Sequence, residues 1–334
     1  QRQMCIRDSI GTNVGNFLYL NGVLRSLMID DNTVIQANYY NTNYYKPEYV
    51  NENFDCFVIP LADAFRENFV NELNELTSFV KKLKIPCYVI GVGLKESYEP
   101  DFSQSKPQDE AVKKFVTAVL EKSNCIGVRG ELTGKYLETL GFAEGRDFMV
   151  IGCPSMYMKG KRLHIQNPKL DVNSKVCFNS NVAASVPTRK FIKLKMKEFE
   201  NHYFIGQVVN ELRSIYLGAP YEYKIEYNFR NVTDKIYQDG RLRFFCNVPK
   251  WMEFLNDSDL TFGSRLHGNI AAVLAGTPAL LVTKDSRTRE LAEYHHLNAI
   301  HESKLNEKLT LQDLVEQQDF TQIEKYQKQN LDRY

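Results

Sequence analysis

The sequence lacks the features that mark several large classes of protein. No uninterrupted apolar run approaches the ~20 residues that a membrane-spanning helix requires, and no secretory signal peptide is visible. Neither charge predominates, since 42 Lys and Arg face 41 Asp and Glu, so no overall field attracts nucleic acid or an anionic membrane. The basic stretch Lys190–Lys197 alternates with apolar residues and is typical of one solvated face. We therefore expect no nucleic-acid partner and no transmembrane segment.

Cysteine is present but is not arranged for disulfide or metal chemistry. The seven cysteines are an odd number, are widely spaced and form no Cys-x-x-Cys pair, which argues against a zinc site or a redox centre. Most of them lie inside apolar runs, as expected for buried free thiols in a reducing compartment. We expect a cytoplasmic protein that holds no metal ion.

Two glycine-containing segments fall short of nucleotide-binding motifs. Gly91-Val92-Gly93 lacks the third glycine of the dinucleotide fingerprint. Gly130–Tyr136 has one residue too few between its glycines for a Walker loop. Turns and helix packing are the preferred interpretation of both segments.

Short apolar runs alternate with segments of helical period along the chain. The runs Phe54–Pro60 and Ile85–Gly93 predict buried strands, and the segments that follow them predict helices, so parallel sheets with crossover helices are expected. A chain of 334 residues favours two domains of about 150 residues each, and the polar stretch Lys159–Asn173 marks the linker. We predict an α/β protein with a Rossmann-like domain at 10–160, a second at 161–308 and a helical segment at 309–334. Residues 1–9 fit no element and are expected to be non-native, and the segment 218–240 is assigned no role.

The strongest candidate site lies in the segment Ser258–Leu291. A buried strand ends at Gly263, Ser264 is expected to cap the helix that follows, and Gly276 is expected to end that helix. The N-terminus of a helix offers N–H groups and positive potential to a phosphate or a carboxylate. It also lies at the carboxyl edge of a parallel sheet, where open α/β folds bind their ligands.

Two functional side chains open this helix. Arg265 suits bidentate capture of a carboxylate or phosphate, and His267 can exchange a proton near neutral pH. A structural alternative is equally compatible with the residues: Arg265 pairs with an acid, and His267 satisfies a buried hydrogen bond. The residues alone leave both interpretations open.

Three blocks of the sequence resemble the polysaccharide pyruvyl transferase family. The string GSRLHGNIAAVLAGTPALLV, which begins at Gly263, resembles the family's Arg-Leu-His signature at the opening of a helix. Ile126–Phe142 is similar to the family's Val-Arg block, and Asn13–Phe17 resembles its Asn-x-Gly-Asp/Asn loop. The blocks follow in the family's order and span nearly the whole chain.

The resemblance implies a fold and an activity. The implied fold is GT-B-like, with two Rossmann-like domains facing across a cleft. The implied activity transfers a pyruvyl group from phosphoenolpyruvate to two hydroxyls of a sugar, in surface or exopolysaccharide biosynthesis, with phosphoenolpyruvate as substrate and no cofactor. The implied partners are this small-molecule donor and a carbohydrate acceptor, for which a lipid-linked oligosaccharide is one candidate.

The site residues follow from the same resemblance. It assigns Arg129, Arg265, Leu266 and His267 to the donor pocket, with His267 as the proton-transfer residue. The neighbouring Ser264, Gly268 and Asn269 complete the candidate donor-binding set. The candidates for acceptor or phosphate contact are Asn13, Asn16, Arg287 and Arg289, the last two because they follow a predicted strand.

The chain departs from the family pattern in three places. Gly130 and Glu131 stand where the family often has Asp after Arg, Gly152–Met156 replaces a more usual Asp-Pro, and Ile59–Phe65 replaces a glycine-rich loop. Two other functions therefore stay open: a GT-B-type nucleotide-sugar glycosyltransferase and a non-catalytic carbohydrate-binding relative. The acceptor sugar, the linkage positions and any homo-oligomer also stay open.

Overall fold

The computed structural model describes residues 13–29, 32–35, 45–181, 183–220 and 229–334. The predicted non-native segment 1–9, and residues 221–228 of the segment without a role, lie outside the described residues. Among the described helices, none is both long and apolar enough to span a membrane.

The chain divides into two compact units whose segments interleave along the sequence. The N-terminal unit comprises Leu20–Tyr157, Asp285–His295 and Gln329–Tyr334. The C-terminal unit comprises the described residues up to Tyr19, Met158–Lys284 and His296–Lys328. The predicted domain limits at 160 and 308 stay predictions.

Parallel strands and helices alternate in the N-terminal unit. The elements are α1 (Gly15–Leu27, which begins in the C-terminal unit), α2 (Pro47–Asn53), β1 (Phe57–Pro60), α3 (Val70–Val80), β2 (Cys87–Ile90), α4 (Asp109–Leu120), β3 (Ile126–Val128), α5 (Glu131–Thr139) and β4 (Phe148–Val150). Strand β1 pairs with β2 and β3 pairs with β4, in parallel, and a parallel bridge between Val92 and Val128 links the two pairs. Apolar residues three and four apart on α4, such as Val112, Phe115 and Val119, are fully buried in the core of this unit.

The C-terminal unit contains one six-stranded parallel sheet. Its strands are β5 (Val176–Asn179), β6 (His202–Gly206), β7 (Leu242–Phe244), β8 (Leu260–Gly263), β9 (Ala279–Thr283) and β10 (Ala299–His301). The helices of this part of the chain are α6 (Val186–Met196), α7 (Val209–Leu217), α8 (Lys235–Gln238), α9 (Val248–Asn256), α10 (Leu266–Ala275), α11 (Ser286–Tyr294, in the N-terminal unit), α12 (Leu311–Glu316) and α13 (Gln322–Arg333).

The strand order of this sheet identifies its ligand-binding edge. The order is β10-β9-β8-β5-β6-β7, so the chain winds outward from β5 through β6 to β7 and then returns to the other side of β5 with β8. This is the doubly wound order of a Rossmann fold, in which ligands bind outside the carboxyl ends of the strands where the order reverses. The switch point therefore lies between the carboxyl ends of β5 and β8.

The predicted α/β class with parallel sheets is confirmed. Differences concern the extent of elements: the strand predicted at Phe54–Pro60 is confined to Phe57–Pro60, and strand β10 and helix α2 were not predicted. Among the described cysteines, all of them free thiols, Cys56 and Cys246 are exposed, contrary to the expectation of general burial.

Candidate active site

The residues that follow β5 and β8 meet at the switch point. The backbone N–H of Arg265 donates to Oδ1 of Asn179 at 2.8 Å, and Nε of Arg265 donates to the carbonyl oxygen of Ser180 at 2.6 Å. The N–H of Ser264 donates to the carbonyl of Asn179 at 3.3 Å. A side chain at Gly263 would overlap that same carbonyl, so this close approach requires glycine.

The predicted cap of α10 is wrong. The N-cap residue is Arg265, whose side chain makes no capping hydrogen bond. The Oγ of Ser264 instead accepts from the N–H of Asn181 at 3.0 Å, because the strand end carries Ser264 beside the loop after β5. The predicted end of the helix is confirmed, since Gly276 takes the left-handed conformation with φ 89°.

Arg265 belongs to a buried ion pair. Its Nη2 lies 3.1 Å from Oε1 of Glu211, and the two side chains are 5% and 0% exposed. The other oxygen of Glu211 accepts from the N–H groups of Gln207 and Val208 at the start of α7. Glu211 is the acid that the structural interpretation of Arg265 required, and sequence reasoning missed it because the two residues are far apart along the chain.

Leu266, Gly268 and Asn269 are buried in the first turns of α10. The amide nitrogen of Asn269 donates to the carbonyls of Gly263 and Arg265, at 3.1 and 2.9 Å. Asn269 therefore secures the strand-to-helix turn that presents the Arg-Leu-His block.

The Asn-Val-Gly-Asn loop is attached to the same edge of the sheet. The N–H of Val14 donates to the carbonyl of Gln207 at 2.9 Å, and Asn13 forms an antiparallel bridge with Val208. Asn16 lies in the first turn of α1, and its N–H donates to the carbonyl of Asn13 at 3.0 Å. The loop is thus held against the residues that follow β6.

This attachment brings the loop to His267. A Cβ on Gly15 would lie 2.9 Å from Cβ and 3.0 Å from Nδ1 of His267, so only glycine permits the contact. The Oδ1 of Asn13 accepts from the N–H of Gly15 at 2.9 Å and fixes the turn, and the ring of Tyr19 approaches the partly buried imidazole edge-on. Two of the three family-like blocks therefore meet within the C-terminal unit.

Two amide side chains that sequence reasoning missed converge on Gly268. A Cβ at this position would lie 2.5 Å from Nε2 of Gln207 and 3.0 Å from Nδ2 of Asn179. Asn179 is the last residue of β5 and Gln207 follows β6, and that placement at the carboxyl edge of the sheet is a signal that could have identified them.

Arg129 lies at the carboxyl end of β3 in the N-terminal unit. Its side chain is 1% exposed, and Nε donates to the carbonyl of Gly91 at 2.8 Å. A Cβ on Gly93 would lie 2.8 Å from Cδ of Arg129 and 3.2 Å from Oε1 of Glu290. The Gly91-Val92-Gly93 segment therefore makes room for a buried arginine and a buried glutamate, as a packing role predicts.

Glu290, which was not predicted, caps α5 from α11. Its carboxylate accepts from the N–H of Thr133 at 2.9 Å and from Oγ1 of the same residue. Burial raises the pKa of Glu290 to about 7, against the hydrogen bonds from Thr133 and the charge of Arg129. A Cβ on Gly130 would lie 2.8 Å from Cβ of Glu290, so the glycine that replaces the family's usual Asp leaves room for this other acid.

Asp63 adds a second acid to this region of the N-terminal unit. Burial alone would raise the pKa of Asp63, but the charges of Arg287, Arg129 and Arg66 hold it well below its ordinary value. Arg287 is 3.4 Å from Asp63 and 3.3 Å from Asp285. The segment Ile59–Phe65, which differs from the family's glycine-rich loop, thus places a carboxylate within the electrostatic influence of three arginines.

Arg289, the other predicted acceptor contact, is also paired. Its Nε lies 2.8 Å from Oε1 of Glu293, and Nη1 donates to the carbonyl of Tyr98 at 3.2 Å. Arg129, Arg287 and Arg289 all belong to the N-terminal unit, whereas Arg265 and His267 belong to the C-terminal unit. Among the described residues, no group of three or more His, Cys, Asp and Glu could hold a metal ion.

Comparison with solved structures gives only distant similarity. A Klebsiella pneumoniae protein of uncharacterized function is 11% identical with a TM-score of 0.48, over 86% of this chain and 89% of that one. A Staphylococcus aureus protein, MnaA, solved with UDP, is 12% identical with a TM-score of 0.44, over 93% and 80%. The UDP-GlcNAc 2-epimerase of Neisseria meningitidis, bound to UDP-GlcNAc, is 12% identical with a TM-score of 0.42, over 93% and 79%. Similarity at this level does not support any inference about function.

The family is established by sequence. No protein with a curated description matches the chain. The family model for polysaccharide pyruvyl transferases matches residues 13–286, which include all three blocks that resemble the family. The chain therefore belongs to the polysaccharide pyruvyl transferase family.

Proposed function

We propose that the protein transfers the pyruvyl group of phosphoenolpyruvate to two hydroxyls of a carbohydrate, forming a cyclic ketal in the synthesis of a surface or extracellular polysaccharide. Family membership supports the transferase class. The observation that carries the proposed donor site is the meeting of Gly15 with His267 beside the first turn of α10, at the switch point of the sheet. Donor binding is proposed to need neither a cofactor nor a metal ion.

The donor is proposed to lie with its anionic groups against α10. The first turn of this helix supplies N–H groups and the positive end of a dipole. Arg265 contributes a guanidinium whose orientation is fixed by Ser180 and Glu211. Arg129 stays a proposed donor ligand through its terminal nitrogens, because Nε is bonded to Gly91.

The reaction is proposed to proceed in two steps. One hydroxyl adds to C2 of the donor while C3 gains a proton and becomes a methyl group. The second hydroxyl then displaces phosphate from C2 and closes the ketal. The two hydroxyl protons balance the proton gained by C3 and the one carried away by phosphate.

His267 is the proposed proton-transfer residue. Its ring is partly buried and is held against Gly15, a location that limits access of water and fixes the imidazole. The proposed acceptor contacts are Asn13 and Asn16 on the adjoining loop, and Arg287 and Arg289 in the N-terminal unit. A lipid-linked oligosaccharide is a candidate acceptor.

The proposal is tested by donor binding and by product. Phosphoenolpyruvate at about 100 times its dissociation constant should stabilise the protein by about 2.7 kcal/mol, and the stabilisation should persist in EDTA. With a carbohydrate panel, released phosphate should match the ketal methyl signal in proton NMR, and His267→Gln should lower the rate of both about a hundredfold or more. Stabilisation by UDP-sugars and not by phosphoenolpyruvate would instead favour a glycosyltransferase.

A further inference from the structure

Gln207 carries a buried amide nitrogen for which the described part of the chain provides no hydrogen-bond partner. The residue follows β6 and is 1% exposed, and its Nε2 has no partner in the structure. The backbone groups of Gln207 are both hydrogen-bonded: the N–H donates to Glu211, and the carbonyl accepts from Val14. A buried N–H donor left without a partner costs about 1–3 kcal/mol, so such a group calls for an explanation.

The unpartnered amide is directed at the first turn of α10. Its nitrogen is 2.5 Å from the position that a Cβ on Gly268 would occupy, and Nδ2 of Asn179 is 3.0 Å from the same point. Gly268 is the third residue of a ten-residue helix whose N-cap provides no side-chain hydrogen bond. Amide donors and a helix N-terminus therefore converge on one small region.

The charge of this region suits a carboxylate better than a phosphate. Arg265, the nearest basic residue in the helix opening, is neutralised by Glu211 at 3.1 Å. The converging donors are neutral amides, and the helix N-terminus adds about half a positive charge. A singly charged, planar carboxylate can accept from such donors with both oxygens, whereas a phosphate dianion demands more compensating charge.

We propose that the side-chain amide of Gln207 is a specificity-determining donor, which binds the carboxylate of an enolpyruvyl substrate against the first turn of α10. The inference rests on the proposed function and adds the orientation of the substrate. Because C2 carries the carboxylate, this orientation presents C2 and C3 to His267, the residue before Gly268. The phosphate then lies away from Gln207.

The test compares two buried glutamines. Gln207→Met keeps the length of the side chain and removes its donor. Gln108→Met is the matched control, since Gln108 is also 1% exposed but its Nε2 already donates to Glu96 at 2.8 Å, in the N-terminal unit. Isothermal titration calorimetry with phosphoenolpyruvate and with inorganic phosphate is combined with melting temperatures of the ligand-free variants.

We expect the two variants to differ in opposite ways, one in ligand affinity and the other in melting temperature. Gln207→Met should weaken phosphoenolpyruvate binding about tenfold to a hundredfold, leave phosphate binding unchanged, and maintain or raise the melting temperature. Gln108→Met should lower the melting temperature and leave phosphoenolpyruvate affinity unchanged. Gln207→Glu, which replaces the donor by a charge of the wrong sign, should eliminate phosphoenolpyruvate binding and serves as a second variant if Gln207→Met does not fold.

Each contrary result has a separate meaning. Unchanged phosphoenolpyruvate affinity in a folded Gln207→Met overturns the role of Gln207 and leaves the proposed function intact. An equal loss of phosphate and phosphoenolpyruvate affinity overturns the carboxylate assignment. A lower melting temperature of Gln207→Met with unchanged affinity shows a structural role. A wild-type protein that fails to bind phosphoenolpyruvate overturns both the proposed function and this inference.

Discussion

Arg265 illustrates how one residue can combine a structural and a functional role. Its guanidinium is buried against Glu211, and removal of one member of a buried ion pair typically costs about 3–5 kcal/mol. We predict that Arg265→Met lowers the free energy of unfolding by this amount. Adding Glu211→Gln, which keeps an acceptor for the N–H groups of Gln207 and Val208, should restore much of the stability.

Donor binding separates the two roles of Arg265. The double variant removes the uncompensated charge but does not replace the guanidinium, so phosphoenolpyruvate affinity should stay low while denaturant unfolding returns towards wild type. A double variant that regains both stability and affinity would show that Arg265 does not contact the donor. The measurements are urea unfolding curves and calorimetric titrations on the same preparations.

His267 differs from Arg265 because its proposed role is confined to proton transfer. His267→Gln keeps the approximate size and one hydrogen-bonding group but cannot exchange a proton in the same way. Turnover should fall about a hundredfold or more, since general acid–base catalysis contributes typically 10²–10⁴. Phosphoenolpyruvate affinity should change little, because the lost interaction forms only in the transition state. Loss of affinity with turnover retained at saturation would make His267 a phosphate ligand.

Glu290 gives the clearest dependence of stability on pH. Its folded pKa of about 7 lies above the ordinary 4.5, so its contribution to stability is present below pH 4.5 and is lost as pH rises through 7. The difference corresponds to about 3 kcal/mol. Glu290→Gln keeps an acceptor for Thr133 and cannot ionise, so its stability relative to wild type should increase between pH 4.5 and 7.

The control for Glu290 lies on the same helix. Glu293 is 58% exposed and pairs with Arg289 at the surface, so Glu293→Gln should change stability little and without the same trend. Thermal unfolding of both variants and wild type across this pH range provides the measurement. A constant difference between Glu290→Gln and wild type would contradict burial as the cause of the raised pKa.

At the scale of elements, the start of α1 matters more for the site than for the stability of the helix. Gly15 is the first residue of α1, and a Cβ there would press on His267 at 2.9 Å. We predict that Gly15→Ala reduces turnover at least tenfold by displacing the imidazole, although alanine favours a helix by up to about 1 kcal/mol.

Ser26→Ala on the same helix is the control for Gly15→Ala, because Ser26 is exposed and its Oγ donates to the carbonyl of Gly22 within α1 at 3.2 Å. Steady-state rates and melting temperatures of the two variants separate displacement of His267 from a general effect on α1. Full turnover in Gly15→Ala would show that the contact with His267 is adaptable.

The sequence predicts elements better than it predicts their partners. The apolar run Ala279–Thr283 predicts a strand, and β9 has the same limits, because a continuous apolar run buried on both faces has clear ends. The helical period that follows Pro60 predicts a helix over about Ala64–Leu83, but α3 begins only at Val70. Ala64 and Phe65 are buried in an irregular segment, which apolar periodicity cannot distinguish from a first helical turn.

Among the site residues, too, the sequence predicts those in local patterns better than those that act through distant contacts. Arg265, His267 and Asn13 belong to local patterns, and a local pattern is visible in one sequence. Glu211, Gln207 and Glu290 act through contacts with residues far away along the chain, and no periodicity or propensity encodes such pairings. The expected cap at Ser264 failed for this reason, because the loop after β5 provides Asn181 as a competing partner.

At the scale of the whole molecule, the two units do not correspond to two continuous halves of the chain. The N-terminal unit contains Asp285–His295, which includes α11. This segment supplies Glu290 to the N-terminus of α5 and Arg287 to Asp63, and Leu291 is fully buried. A chain that ends at Tyr157 therefore lacks both a cap and part of a core.

Interleaving leads to a prediction about fragments. Residues 20–157 alone should show no cooperative thermal transition, because Asp63 loses Arg287 and the surface that covers Leu291 becomes exposed. The same fragment with residues 285–295 joined through a flexible Gly/Ser linker should recover a cooperative transition in circular dichroism. Leu291→Asp in the joined fragment is the control, since a buried unpaired charge should eliminate the recovery. If residues 20–157 unfold as cooperatively as the joined fragment, α11 contributes nothing to the stability of the N-terminal unit, and Asp285–His295 has to be assigned to the C-terminal unit.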